Sequence, residues 1–383
     1  MPPGGARVTL TRDIARSVGS MPEPTTDRGN PGRSWLLVSA GGEHTCAIRA
    51  DKNLWCFGQN AWGEMGDHSL GDRFIPTPVD RISIWKLITD GGGNHDCAIT
   101  RQQALWCWGL NDHGQVGDGA TTTRTLPLLI GTALWTTVTG GEGYTCGIQD
   151  DRSLWCWGAN GKGQLGNGTR TDAHAPVQVG TDTDWASVSP GPTHTCALKT
   201  DKSLWRWGAN ADGEVGDGST SLRKSPVKVG TSSWTTVSAG GRFTCGTQTG
   251  GTLWCWGFND QGEVAQPPNS GAQITPTQVG TLTTWVQVDS ATDHSCAVRT
   301  DLTLSCWGNN VSGDLGNDSA ESDSPVAIPQ KIWTRAITFD SMSCAWKTDD
   351  TMACWGNDTI GQLGDGSPVP SRVGPVSVVI VPA

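Results

Sequence analysis

Thirteen cysteines occur in the 383 residues, and twelve fall in pairs ten residues apart: Cys46 with Cys56, Cys97 with Cys107, Cys146 with Cys156, Cys245 with Cys255, Cys296 with Cys306, and Cys344 with Cys354. Cysteines at a fixed spacing can form disulfides, ligate a metal, or stay reduced as small apolar fillers. Zinc draws support from His44, His95, His194 and His294, each two residues before a cysteine and so on the same face of a strand. Against it, Tyr144, Phe243 and Met342 take the histidine's place in other repeats while the cysteine pair persists. Disulfides are therefore the preferred reading, with no metal and no other cofactor. Cys196 is left as a free thiol, because Arg206 stands where its partner would be. No nucleophile elbow, H-E-x-x-H pair or phosphate-binding loop occurs. The turns Gly117-Asp118-Gly119 and Gly216-Asp217-Gly218 could ligate a cation, but turn geometry already accounts for them. The chain reads as a binder and not as an enzyme.

The elements that carry these residues follow from an internal repeat. A tryptophan opens each unit at Trp35, Trp85, Trp135, Trp185, Trp234, Trp285 and Trp333, at intervals of 48 to 51 residues. After it come a strand, a glycine-rich turn, a strand of the form H-T-C-A-I, a tight turn, a strand of the form L-W-C-W-G, an Asn-Gly loop and a proline-led strand. Four short strands per unit and seven units predict an all-β fold, a seven-bladed β-propeller with about four antiparallel strands per blade. Residues 35–383 would form the propeller, and residues 1–34 a flexible tail. The last proline-led strand, from Pro375, is expected to close the ring beside the first repeat.

If each cysteine faces its partner across a hairpin, Ala47 faces Trp55, Ala98 faces Trp106, Gly147 faces Trp155, Ala197 faces Trp205 and Gly246 faces Trp254. Small residues oppose tryptophan almost throughout, as native packing density requires, and a one-residue slip would destroy the match. The register calls for an odd loop, which a three-residue hairpin supplies.

The net charge is −10, and such an acidic surface argues against nucleic acid as a partner. No apolar run is long enough for a membrane span. The cysteine pairs favour a secreted or extracytoplasmic location. No signal peptide is visible at the N-terminus, which keeps a cytoplasmic location open.

The strings G-G-E-H-T-C-A-I at 41–48, L-W-C-F-G-Q-N-A-W-G-E-M-G from Leu54 and L-W-C-W-G-A-N-G-K-G-Q-L-G from Leu154 closely resemble the regulator of chromosome condensation repeat. The resemblance implies a central channel and binding surfaces on the two end faces. It also implies an alternative function, guanine-nucleotide exchange on a small GTPase through a wedge inserted in one blade, but the uniform repeat length leaves little room for one. Light sensing, known among plant relatives, would need tryptophan at the turn positions held by Gly42, Gly92, Glu142, Pro192, Gly241, Thr292 and Ser341. The loop asparagines Asn60, Asn111, Asn160, Asn210, Asn259 and Asn310, with Asp358 in the last repeat, read as turn chemistry. Function is then left to breaks in the repeat: Trp62, unmatched in the other loops, Arg206 beside Cys196, and the loop 266–273. The reading is a protein-binding or scaffold propeller, using loops on an end face, with Trp62 and Arg206 as candidate binding residues for a protein partner of unknown identity.

Overall fold

The computed structural model describes residues 35–79, 84–317, 321–349, 351–366 and 369–378; the expected N-terminal tail lies outside the described residues. Each repeat folds as four antiparallel strands in chain order, giving a seven-bladed propeller. In blade 1 these are β1 (Trp35–Ala40), β2 (His44–Arg49), β3 (Leu54–Gly58) and β4 (Arg73–Pro78). The described residues contain no helix, hence none long and apolar enough to cross a membrane.

Local sequence explains the strands. The second and third strands of every blade pair in the register expected from small residues opposite tryptophan: Ala47↔Trp55, Gly147↔Trp155 and Ala197↔Trp205, with Cys46↔Cys56 between them in blade 1. The joining turn is a three-residue hairpin in which Arg49 N–H donates to Asn53 O at 3.0 Å and Lys52 adopts φ 68°. Gln103, Arg152, Lys202 and Leu302 hold the same left-handed position in their blades. The outer strands begin earlier than their prolines. The fourth strand of blade 4 runs from Arg223, which pairs with Gly208, and Pro226 lies inside it. Proline is tolerated there because an outer strand has one unpaired edge.

Within a blade, the tryptophan that opens the first strand packs against a tryptophan of the third. Trp135 meets Trp157 at 5.6 Å between centroids, and Trp333 meets Trp355 at 6.1 Å, mostly edge-on. Trp108, Trp157, Trp207, Trp256, Trp307 and Trp355 each donate the indole N–H to a loop carbonyl of the preceding blade, at 2.8–3.0 Å. The carbonyl comes from Glu64, Gln115, Gln164, Glu214, Glu263 or Asp314. Glycine is required beside these indoles. A Cβ on Gly166, at φ 70°, would stand 2.6 Å from the Trp207 indole nitrogen.

Ring closure differs from the expected role of the last strand. The outer strand of blade 7 (Val369–Ser377) pairs with blade 7's own third strand (Met352–Asp358), and blade 1 already has β4 of its own. Among the described residues, no strand is shared between first and last blades. The ring closes by packing of Trp35, Val38 and Phe57 against Ile337, Met342 and Trp346.

Candidate binding face

Antiparallel pairing puts two kinds of loop on one end of the propeller. The turn between first and second strands (41–43) and the Asn-Gly loop between third and fourth (59–72) both leave the His44↔Gly58 end of the sheet. The same holds in each blade, so one face of the ring is built from seven pairs of such loops.

Each Asn-Gly loop is pinned by its asparagine. Asn60 is fully buried; its Oδ1 accepts from Met65 N–H at 2.9 Å and its Nδ2 donates to Ser69 Oγ and Gly71 O. Asn111, Asn160, Asn210, Asn259 and Asn310 accept equivalent bonds at 2.8–3.2 Å. Asp358 accepts one from Leu363 at 3.1 Å, and burial pushes its carboxyl up to about 6. The asparagines are thus turn residues, as their spacing implied. The Gly-Asp-Gly turns have a partner too: Asp118 pairs with Arg124 and Asp217 with Arg223, the latter at 2.5 Å. Blade 5 departs from this. Ala265 takes the second loop glycine's place while keeping a left-handed φ of 54°, and the segment after it is held by Asn259 Nδ2 donating to Gln266 O and Pro267 O.

Trp62 sits in the first of these loops. Of the 20 tryptophans it alone is exposed, at 43%, with its backbone N–H donating to Glu64 Oε2 at 2.8 Å. Its counterparts in the other loops are His113, Lys162, Asp212, Gln261, Ser312 and Ile360.

Arg206 has a different placement. It is fully buried between blades 4 and 5 and does not reach either face. Its Nε donates to Cys196 Sγ at 3.0 Å, its Nη2 to Thr244 Oγ1, and its guanidinium lies 4.8 Å from the centre of the Trp256 ring. Burial lowers the Arg206 pKa and raises that of the Cys196 thiol, which is free and buried. The cation fills the space that a bridged sulfur pair occupies in the other blades. As a candidate contact for a partner Arg206 is therefore corrected to an interblade residue.

The other twelve cysteines meet across the second and third strands of their own blades. Cys46 faces Cys56, Cys97 faces Cys107, Cys146 faces Cys156, Cys245 faces Cys255, Cys296 faces Cys306 and Cys344 faces Cys354. In each pair the Cα atoms are 4.1 Å apart and the sulfurs are at bonding distance. All twelve are buried between the sheets, so none of them is presented to a partner on the loop face.

His44, Cys46 and Asp96 bring ligand-type atoms within 4.8 Å of one another. The sulfur, however, is at bonding distance from Cys56, and His44 Nε2 faces Asp96 Oδ1 at 3.1 Å. Elsewhere the corresponding contact is to a hydroxyl: His95 to Thr145, His194 to Thr244 and His294 to Ser343. Burial works against a charged ring at both His44 and His95. The Asp96 carboxylate nevertheless holds His44 above its ordinary value, whereas His95 falls to about 4. The histidine of the blade 1–2 seam thus meets a carboxylate where those of the other seams meet a hydroxyl.

A central channel was expected, but sequence reasoning did not identify the residues that line it. The fifth residue of the innermost strand lines it: Ser39, Thr89, Thr139, Ser189, Ser238, Asp289 and Ile337. These side chains stitch blade to blade. Ser189 Oγ accepts from Ala239 N–H, Ser238 Oγ from Ser290 N–H, and Asp289 Oδ2 from Thr338 N–H at 2.8 Å. Gln287 adds a two-way bond to the Ala336 backbone. The signal was available as a hydroxyl recurring four residues after most of the opening tryptophans. The mouth of the channel on the loop face is a cavity of about 740 Å³ whose walls include Glu142, Asp260, Asp293 and Asp340.

Comparison with known proteins agrees with this geometry. The profile of the regulator of chromosome condensation (RCC1) repeat matches residues 151–198, 201–246 and 250–298, and a second profile of the same repeat matches 36–63 and 234–263. The ultraviolet-B receptor UVR8 of Arabidopsis thaliana is 32% identical over 100 residues, 26% of this chain and 22% of the receptor. The X-linked retinitis pigmentosa GTPase regulator of Homo sapiens is 31% identical over 102 residues, 25% of this chain and 10% of that protein. The chain therefore matches less than a quarter of the length of either relative. Among solved structures, Prp20p of Saccharomyces cerevisiae, described with its binding to Gsp1p and histones, superposes with TM-score 0.76 at 15% identity, covering 91% of this chain and 87% of that one. Human WBSCR16 superposes with TM-score 0.72 at 18% identity, covering 84% and 92%. At such identities the superpositions show the fold.

Proposed function

This chain belongs to the regulator of chromosome condensation repeat family, and from that premise we propose that it is a non-catalytic binding module that engages a protein partner through its loop face. The observation that carries the reading is Trp62. The periodic tryptophans, asparagines and hydroxyls are all spent on building and joining blades, whereas the Trp62 indole is held on a pinned loop and open to solvent. A rigid exposed tryptophan is the residue type most often found as an interface anchor. The acidic charge directs the reading toward a protein carrying basic groups and away from nucleic acid. The six cysteine pairs at bonding distance support residence in an oxidising compartment, where they would act as cross-strand staples.

The test is recovery of partners from the native source with wild-type protein and with Trp62→Ala as paired baits. A partner retained by the first and lost by the second, with matching melting curves, is the expected result. An unfolded variant would assign Trp62 to packing instead, and equal recovery by both baits would remove it from the interface.

A further inference from the structure

The loop face is chemically lopsided around the ring. Its exposed large apolar side chains are Trp62, Leu70 and Phe74 in blade 1, Ile274 in blade 5, Val311 in blade 6 and Val373 in blade 7. Among the described residues, blades 2 to 4 place none there. At the positions equivalent to Trp62 and Phe74 they carry His113 and Thr125, Lys162 and His174, and Asp212 and Lys224.

Each Asn-Gly loop laps onto the outer strand of the next blade, which joins the apolar residues of blades 6, 7 and 1, while Ile274 stands apart from them beyond Asp323, on which the blade 5 loop is seated. A Cβ on Gly213 would stand 2.6 Å from Ile274 Cα, one on Gly313 2.9 Å from Val373 Cα, and one on Gly361 3.0 Å from Phe74 Cα. The Val311 loop, with Val311 at 81% exposure, is thereby seated on the strand bearing Val373, and the blade 7 loop on the strand bearing Phe74. Single exposed apolar residues are ordinary on a protein surface, but a linked series over blades 6, 7 and 1 is not.

The unpaired charges in the same sector are negative. Arg73, Arg242 and Arg372 are each engaged, with Asp67 at 2.9 Å, Asp212 at 2.6 Å and Asp365 at 2.5 Å. The exposed carboxylates Glu43, Asp260, Asp323 and Asp340 have no cation within 4.0 Å among the described residues. Lys162 and Lys224 lie across the ring, in blades 3 and 4.

We propose that the arc running from blade 5 through blades 6 and 7 to blade 1 docks a protein segment that presents large apolar side chains flanked by lysine or arginine. This rests on the binding reading above and specifies its partner's chemistry. The apolar rim supplies the contact that excludes water, and the surrounding carboxylates select the sign of the flanking charge.

The test uses the full chain as target for a displayed library of random peptides, each about 16 residues long and so able to span several blades in extended form. The expected winners combine aromatic or aliphatic residues with lysine or arginine. Synthetic copies should bind at least tenfold more weakly to Val311→Asp and to Trp62→Ser than to wild type, and as tightly to Lys162→Ala. Replacing their lysines by glutamate should also cost at least tenfold at low salt. Val311 is exposed enough that its substitution leaves the fold intact, and matching melting curves check this. Winners that are acidic or lack apolar residues overturn the proposal, as do winners that bind both variants unchanged. The latter result moves the docking surface elsewhere and leaves the binding reading standing. Sedimentation of the chain alone provides a further arm. A dimer abolished by Val311→Asp would make a second copy the occupant and overturn the proposal. The broader reading fails separately, if no natural partner is recovered.

Discussion

Replacing Arg206 by cysteine should create the missing seventh staple. Arg206 lies directly opposite Cys196 in the register that brings the other cysteine pairs to a Cα separation of 4.1 Å. Closing a loop of about 11 residues removes roughly 2.8 kcal/mol of unfolded-chain entropy on the chain-entropy model, an upper figure. The substitution also removes a fully buried guanidinium that has no carboxylate within 4.0 Å among the described residues and whose Nη1 lacks a partner. Relief of such a burial is worth about 1–3 kcal/mol. Against this stand the cation–π contact with Trp256, about 1–2 kcal/mol, and a cavity of a few methylene groups, about 1–2 kcal/mol. The balance is a gain of about 1–3 kcal/mol, or roughly 2–4 °C in melting temperature for a chain of this size. Thiol titration in denaturant should find about one free thiol in the wild type (13 cysteines less six pairs) and none in Arg206→Cys. Two free thiols in the folded variant would refute the opposition of the two sites. A formed bond with a lowered melting temperature would refute the charge-burial argument.

Three more outcomes are expected. At the blade 1–2 seam, Asp96→Ala should cost about 3–5 kcal/mol by leaving His44 buried without its counter-ion, while Asp96→Thr, which copies the His95–Thr145 contact, should cost about 1 kcal/mol. Because His44 is held above its ordinary value, the pair's contribution is complete below about pH 6.5 and is lost as pH rises through the higher folded-state value; chemical denaturation across the neutral to mildly alkaline range should show this slope in the wild type and not in Asp96→Thr. Asp358→Asn should stabilise by about 1 kcal/mol or more at pH 7, since a buried carboxyl raised to about 6 disfavours the folded state as pH rises from about 4 through 6; equal stability of the two proteins at pH 7 would count against it. Ala265→Gly should add about 1 kcal/mol by relieving a left-handed alanine at φ 54°, read as a higher denaturation midpoint with unchanged slope.

The sequence by itself determined what repeats within a blade. Strand number, hairpin register and the opposition of Cys46 to Cys56, like that of Cys97 to Cys107, follow from contacts between residues about ten apart, and seven copies of the pattern make a slip in any one of them visible. The asparagine loops were legible for the same reason, because Asn60 satisfies groups only five to eleven residues away. What lies between blades was not legible, since it depends on which side chain of one unit meets which backbone of the next, some 50 residues on. The channel stitching by Ser189, Ser238 and Asp289 is of this kind. So is the burial of Arg206, whose position in a strand of alternating faces did not reveal that its long side chain would be enclosed by Thr244 and Trp256 of the following blade. Closure is a further case: a proline-led last strand is compatible with sharing between first and last blades, and only the packing of Phe57 and Trp35 against Met342 and Trp346 shows that side chains seal the ring. Trp62 was visible in the sequence as an unmatched tryptophan. That it stands on a rim with Val311, Val373 and Phe74 was decided by the tertiary structure, because curling the chain into a ring makes neighbours of blades 1 and 7, the two ends of the repeat.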